Sequence, residues 1–236
     1  MSLCSKMNQP IKKAIVLSSG GLDSTTAMAI AANQSYQIYS ISFDYGQRHL
    51  FELDRAKEIA KHYKVKEHLI LKVDLKSIGG SALTSETAVP KDSLNEEENN
   101  IPVTYVPARN LIFLSLAVAW GEVIGAYDIF IGVNAIDYSG YPDCREEFLE
   151  AFEKMVRVGT KAGVEGKKIT IHTPLLKMNK KEIIETGLSL GVDYSLTTSC
   201  YDPSPEGHPC SRCDACILRI RGFKELGLED PALKMF

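Results

Sequence analysis

Short runs of β-forming residues alternate with amphipathic segments along most of this chain. The patterns predict strands at residues 14–18, 37–43, 67–73 and 128–133. They predict helices at residues 24–33, 47–63 and 109–125. Such alternation favours parallel strands joined by right-handed crossovers. We therefore expect an α/β fold, doubly wound around a mainly parallel sheet.

Two regions depart from this alternation. Residues 81–104 are polar and acidic with few apolar anchors, which is typical of a disordered excursion or an active-site lid, and we expect mobility around residues 92–100. After a further helix at residues 179–190, the chain becomes rich in Ser, Thr, Cys and Pro until a last helix at about 214–226. We predict a main domain over residues 10–195 and a small C-terminal subdomain over residues 196–236.

The charge balance excludes one class of function. Lys and Arg total 27 against 30 Asp and Glu, a net charge of −3, so no basic excess attracts a nucleic acid. The most apolar stretch, residues 111–126, is interrupted by Glu122 and is too short to span a bilayer. No secretion signal is visible at the N-terminus. We expect a cytoplasmic protein with neither nucleic-acid nor membrane partners, and leave a homodimer open.

A glycine-rich turn lies between the first strand and the first helix. Gly20 and Gly21 permit a tight turn and the close approach of an anion to the start of the helix, where N–H groups are free. Hydroxyl and carboxylate groups flank them at Ser19, Asp23, Ser24 and Thr25. No Gly-Lys-Ser/Thr follows at P-loop spacing, and the turn is not GxGxxG. The alternative is an ordinary turn in which Ser or Asp caps the helix.

The string SGGLDS at residues 19–24 resembles the signature of the N-type ATP pyrophosphatases. In that superfamily the loop holds the β,γ-pyrophosphate of ATP while a substrate attacks the α-phosphorus. The resemblance implies ATP as co-substrate, Mg²⁺ accompanying it, and AMP and pyrophosphate as products. The nucleotide-binding residues that it implies are Leu17, Ser18, Ser19, Gly20, Gly21, Leu22, Asp23, Ser24, Thr25, Thr26 and Asp44. For Asp44, just past a strand, an Asx turn is the alternative.

Four of the six cysteines cluster near the C-terminus. They are Cys200, Cys210, Cys213 and Cys216. Clustered thiols in a reducing compartment are more often metal ligands than disulfides. Four thiolates complete the tetrahedron that zinc prefers, which predicts one structural Zn²⁺ per chain with no open position. An iron–sulfur cluster, and cysteines that hold no metal, remain alternatives.

Further motifs follow other predicted strands or open helices, at the edge where α/β sheets bind ligands. They are FDYGQRH at 43–49, VPARN at 106–110, GVNAIDYSGYPDCR at 132–145, TSCY at 198–201 and CDAC at 213–216. Together they closely resemble the 7-cyano-7-deazaguanine synthase family over residues 14–222. That resemblance implies a queuosine-biosynthesis ligase that turns 7-carboxy-7-deazaguanine and ammonia into a nitrile through adenylated acid and amide intermediates. No glutaminase fits in the chain, so ammonia comes from solution or a separate partner.

A deazaguanine requires an acceptor carboxylate, an aromatic stacking face and a cation for its 7-carboxylate. The candidate pairs are Asp137 or Asp143 for the acceptor, Tyr138 or Tyr141 for the face, and Arg145 or Arg109 for the cation. With the loop residues, the catalytic candidates are Asp23, Ser24, Arg109, Asp137, Asp143 and Arg145.

Structural roles are the alternatives for several of these residues. Asp143 is placed to cap the following helix, with Glu146 as its capping-box partner. Arg109 is an alternative partner for Glu122. A tRNA-thiolating member of the superfamily would use a cysteine, and Cys144 stands at a helix start where a thiolate is favoured. We expect Cys144 to have a packing role rather than a catalytic one, because nitrile formation requires no sulfur nucleophile. A non-enzymatic zinc-ribbon interaction module would account only for the C-terminal cysteines. It would leave the glycine-rich turn at residues 19–24, called the glycine loop below, without a function.

Overall fold

A computed structural model describes residues 11–93, 101–136 and 140–233. In these residues the strands form one parallel sheet in the order β3-β2-β1-β4-β5. The strands are β1 (Lys13–Leu17), β2 (Gln37–Asp44), β3 (Glu67–Lys72), β4 (Asp128–Phe130) and β5 (Thr170–His172). The order reverses at β1, as in a doubly wound sheet, which confirms the predicted fold class.

Helices connect these strands and cover both faces of the sheet. They are α1 (Leu22–Asn33), α2 (Phe51–His62), α3 (Arg109–Ile124), α4 (Glu146–Gly159), α5 (Lys161–Val164), α6 (Lys180–Ser189) and α7 (Asp214–Glu225). Short 3₁₀ turns occur at Pro142–Cys144, Tyr194–Leu196 and Pro231–Leu233. Within the described ranges, no helix is both long and apolar enough to cross a membrane.

The central strand shows why the sheet is buried on both sides. Alternate residues of a strand point to opposite faces. Ile15 and Leu17 pack in one cluster with Leu114 of α3, whereas Ala14 and Val16 belong to a second cluster, which includes residues of α1 and α2. A strand with four consecutive apolar residues, as at positions 14–17, is typical of a parallel sheet covered by helices on both faces.

Three differences from the prediction exceed two residues: β4 ends at Phe130 rather than at residue 133, α2 starts later, and one strand is additional. The helix expected to start at residue 47 begins at Phe51, because the Gln47 side chain clamps the preceding turn. Its amide accepts from Tyr45 N at 2.8 Å and donates to Phe43 O at 3.2 Å. Strand β5 was not predicted, since its three residues carry too short a pattern to identify.

The expectation of few apolar anchors in residues 81–104 is wrong for the described flanks. Ala82, Leu83 and Val89 are buried in the main core cluster, and Thr104 shares a 2.7 Å hydrogen bond with the Tyr141 hydroxyl. These flanks are therefore packed, which opposes the lid hypothesis for them. Residues 94–100, where most of the mobility was expected, lie outside the described residues.

The C-terminal region packs directly on the main layers. Phe223 of α7 lies in one cluster with Leu22 of α1 and Ile183 of α6. Arg219 of α7 is buried and forms a two-point ion pair with Asp230 at 2.7 and 2.9 Å. A domain boundary at residue 195 stays a prediction.

Candidate active site

The loops that follow β1 and β4 meet where the strand order reverses, which is where doubly wound folds bind ligands. Gly132, just beyond β4, packs so closely that an added Cβ would lie 2.8 Å from the carbonyl carbon of Asp23. A cavity opens at this edge, between the glycine loop, the starts of α2 and α3, and residues 198–203.

The backbone of the glycine loop depends on glycine. Gly20 has φ +77°, and a Cβ there would collide with the carbonyl oxygen of Glu52. Gly21 is the N-cap of α1, and no side chain forms a capping hydrogen bond there. The predicted alternative, a Ser or Asp cap, is therefore not what forms. The first N–H groups of α1 remain available to an anion.

The hydroxyl groups of the loop fall into two sets. Ser24 Oγ lies 3.1 Å from Ser19 Oγ at the cavity, and the buried Ser18 hydroxyl has no hydrogen-bond partner among the described residues. Ser24 Oγ also donates to Gly21 O at 3.1 Å, and Thr25 and Thr26 donate to Gly21 O and Leu22 O at 2.8 and 2.9 Å. Ser19 and Ser24 thus line the cavity, whereas Thr25 and Thr26 lie outside its lining and only hold the helix start.

A lysine that sequence analysis missed lies at this loop. Lys180, the first residue of α6, is 6% exposed and places Nζ 2.8 and 2.9 Å from the two carboxylate oxygens of Asp23. A capping box between Asn179 and Glu182 fixes where α6 begins. That box is visible in the sequence, but the partner of Lys180 is 157 positions away and is not.

Arg109 occupies the opposite wall of the cavity, at the start of α3. The N-cap residue of α3, Ala108, has φ +55°, a left-handed conformation that costs energy for any residue except glycine. The Arg109 guanidinium lies 5.8 Å from the centre of the Tyr45 ring. Burial acts to lower the pKa of Arg109, but Tyr45, Tyr201, Tyr141 and Asp143 raise it above its ordinary value. The side chain is therefore a permanent cation lined by aromatic residues.

The alternative pairing of Arg109 with Glu122 does not form. Glu122 instead accepts a 2.7 Å hydrogen bond from Ala162 N at the start of α5. Arg109 thus remains directed to the cavity.

Asp143 caps a helix, though not the one expected. Its Oδ2 accepts from Asn110 N at 2.9 Å, in the first turn of α3, and Asn110 Nδ2 donates back to Asp143 O at 3.2 Å. The N-cap of α4 is Arg145, whose side chain forms no capping hydrogen bond, and Glu146 pairs with Lys177 at 2.9 Å. The predicted capping box at α4 is therefore wrong. Burial raises the pKa of Asp143, while the Asn110 amide and Arg109 oppose that shift.

The structure brings some of the candidate residues together and separates others. The candidates that line the cavity are Leu17, Ser18, Ser19, Gly21, Leu22, Asp23, Ser24, Arg109 and Tyr141. Gly20, Thr25, Thr26, Asp44, Asp143 and Arg145 are not in its lining. Asp44 accepts from Gly46 N at 3.4 Å, which favours the Asx-turn alternative. Asp137 and Tyr138 lie outside the described residues.

Cys144 is unsuited to act as a nucleophile. It is 5% exposed and accepts a 3.3 Å contact from Asn110 Nδ2. Burial, followed by the neighbouring Asp143, raises the pKa of its thiol to about 12, so the thiolate is scarce at neutral pH. The geometry favours the packing role over a thiolating one.

Residues 200–216, called the cysteine loop below, bring four potential metal ligands close together. The four Sγ atoms of Cys200, Cys210, Cys213 and Cys216 lie within 4.8 Å of one another, and none is in a disulfide. In a tetrahedron with Zn–S bonds near 2.3 Å, the sulfurs stand about 3.8 Å apart. Backbone amides already point at the sulfurs, from Cys210 N to Cys200 Sγ at 3.2 Å and from Cys213 N to Cys210 Sγ at 3.3 Å. The arrangement is compatible with a closed metal site.

Comparison with known proteins agrees with this geometry. The 7-cyano-7-deazaguanine synthases of Citrifermentans bemidjiense and Geobacter metallireducens are each 59% identical to the chain, over 220 and 221 residues. Both alignments cover 93% of this chain, and they cover 96% and 92% of the relatives. A 4-thiouridine synthetase, solved as an RNA complex with bound ATP, is 18% identical with a TM-score of 0.51. It covers 96% of this chain and 53% of that chain, a likeness of fold alone. Because the family model of the queuosine biosynthesis protein QueC also matches residues 13–227, the chain belongs to the QueC family.

Proposed function

We propose that this chain converts 7-carboxy-7-deazaguanine and ammonia into 7-cyano-7-deazaguanine, cleaving ATP to AMP and pyrophosphate. One observation carries the proposal. A single cavity holds two groups suited to different anions: the open N-terminus of α1 with its serines, and the Arg109 guanidinium among tyrosines. An acid-activating enzyme has to bring a phosphate and a carboxylate together in this way.

The glycine loop is suited to a departing pyrophosphate. It offers the N–H groups of α1, the Ser19 and Ser24 hydroxyls at the cavity and, nearby, the Lys180 ammonium. These groups stabilise charge that grows on the leaving group. Because Asp23 already pairs with Lys180 through both oxygens, we assign Mg²⁺ to the phosphates of ATP, where it would neutralise their charge.

The part of the cavity lined by Arg109 and the tyrosines is suited to bind the deazaguanine and its carboxylate. A guanidinium binds a carboxylate through two parallel hydrogen bonds, and the flat rings of Tyr45, Tyr141 and Tyr201 offer stacking surfaces for a deazaguanine. The bound carboxylate then attacks the α-phosphorus, and ammonia displaces AMP to give the amide. Adenylation of the amide oxygen, followed by loss of a second AMP, leaves the nitrile.

The cysteine loop contributes stability rather than chemistry in this proposal. Four thiolates would hold one Zn²⁺ with no position left for a substrate. Free clustered cysteines also support a reducing, cytoplasmic location.

Incubation of the protein with ATP, ammonium and 7-carboxy-7-deazaguanine tests the proposal, with products identified by mass spectrometry. We expect the nitrile, the amide as an intermediate, and two AMP for each nitrile. Formation of a thiolated product with a sulfur donor, and no nitrile, would overturn it.

A further inference from the structure

An acidic side chain in the cavity is left unused by the function proposed above. Glu52 lies in the first turn of α2, and its backbone oxygen packs on Gly20 of the glycine loop. The side chain is half-buried, lines the same cavity as Arg109, and lies within electrostatic reach of it. The Glu52 side chain thus lines the cavity near the Arg109 guanidinium, and its backbone joins α2 to the glycine loop.

The second acidic residue of the cavity is already engaged. Among the described residues, Asp23 and Glu52 are the acidic side chains in the lining. Asp23 holds Lys180 through both oxygens, whereas no ion pair joins Glu52 to any described residue. Glu52 is therefore the carboxylate available to exchange a proton with a ligand.

Nitrile formation requires such a group. Nitrogen enters as ammonia with three N–H bonds and leaves in a C≡N group with none. Every one of those protons has to be removed, and an enzyme accelerates such transfers with a positioned base.

We propose that the Glu52 carboxylate accepts these protons from nitrogen, and so acts as the general base of both AMP-releasing steps. In the first step the nitrogen lone pair forms the C–N bond, the C–O bond to AMP breaks with its electron pair going to AMP, and Glu52 takes one proton. In the second, the protonated adenyl imidate first loses one N–H proton to Glu52; it then loses the other as C≡N forms and the C–O bond breaks with its electron pair going to AMP. Each proton passes from Glu52 to solvent before the next arrives. The inference rests on the proposed function.

The surroundings of Glu52 suit this task. Burial raises the pKa of its carboxyl to about 7, and Arg109 of α3 opposes that rise. Tyr45 faces it from the loop after β2, while Arg48 and His49 line the cavity just before α2. A base is most effective when its pKa is close to the working pH. The rate is therefore expected to rise with pH through about 7, as the carboxylate forms.

Glu52→Gln tests this, because it keeps the shape of the side chain and removes the base. At pH 7, with free ammonia held at one concentration across the pH series, we expect nitrile formation to fall by about 10²-fold. Pyrophosphate release in the first adenylation, measured without ammonia, should change little. The acidic limb of the pH–rate profile should disappear, and Glu52→Asp should restore part of the rate.

His49→Gln is the matched control, since His49 is a second titratable group in the cavity and should leave the acidic limb in place. If the limb disappears with His49→Gln and persists in Glu52→Gln, the inference is wrong. An equal loss of adenylation and nitrile formation in Glu52→Gln would also overturn it, because Glu52 would then only position Arg109 or substrate. Failure of the wild-type protein to make any nitrile would refute the proposed function instead.

Discussion

The glycine loop and the cysteine loop are both irregular segments that lead into a helix, yet their polar groups are arranged in opposite ways. At the start of α1 no side chain forms a cap, and the buried Ser18 hydroxyl has no partner among the described residues. Ahead of α7, the backbone amides of Cys210 and Cys213 already point at sulfur. A segment that binds a transient ligand leaves donors open, whereas one that holds the fold directs them inward.

The two loops should therefore respond differently to substitution. Changes at the glycine loop should reduce rate more than stability. Changes at the cysteine loop should reduce stability first. The predictions below test that division, beginning with the largest expected effect.

Ser24→Ala and Asp23→Ala should each reduce pyrophosphate formation by about 10²-fold or more, as loss of a contact to developing charge usually does. Ser24→Ala should lower the melting temperature by no more than about 4 °C, because Ser24 Oγ also bonds Ser19 N and Gly21 O at 3.2 and 3.1 Å. Asp23→Ala should also lower it, because the buried Lys180 ammonium loses its carboxylate partner. Ser189→Ala, at the exposed end of α6, is the control. A folded Ser24→Ala protein with normal activity would contradict the role of the loop.

Cys213→Ser should remove the bound metal and lower the melting temperature by about 10 °C, as expected for a loss of about 3 kcal/mol in a domain of this size. Elemental analysis of the wild-type protein should give one zinc per chain and no iron. Cys144→Ala controls for loss of a buried cysteine outside the cluster. A brown, iron-containing wild-type protein would refute the zinc assignment.

Asp143→Ala should lower the free energy of unfolding by about 1 kcal/mol, because the Asn110 N–H at the start of α3 loses its capping acceptor. Asp143→Asn keeps an acceptor oxygen and should retain most of that stability. Thermal unfolding and the KM for the deazaguanine acid, measured on both variants, separate the two roles. A large rise in KM for Asp143→Asn at unchanged stability would place Asp143 on the substrate.

Cys144→Ala should have the smallest effect and keep most of the activity, because the thiol is buried and protonated. Intact-protein mass spectrometry during turnover should show no covalent adduct. A trapped thioester at this residue, or a folded but inactive variant, would support a covalent mechanism.

The sequence predicted what depends on neighbouring residues and missed what depends on distant ones. Strand–helix alternation and the contiguous SGGLDS string were sufficient for the fold class and the loop. The pair of Lys180 with Asp23 and the cap of Asp143 on Asn110 join positions 157 and 33 residues apart, and local patterns carry no information on such contacts.

Local patterns also gave wrong helix starts and caps where a side chain binds a partner outside the helix that the pattern indicates. Glu146 follows Asp143 at the spacing of a capping box, but Asp143 is held by α3 and Glu146 by Lys177. Residues 47–50 continue the amphipathic pattern of α2, but Gln47 binds the backbone of the preceding turn. Neither competition is visible until the fold brings the partners together.

The central claim is that the glycine loop holds an entire pyrophosphate as the leaving group. Phosphorus NMR of a turnover mixture containing ATP, ammonium and 7-carboxy-7-deazaguanine tests it directly. Cleavage between the α and β phosphates should give AMP and pyrophosphate as the only nucleotide-derived products, with Ser24→Ala slowing both equally. ADP and inorganic phosphate as the products of turnover would contradict it.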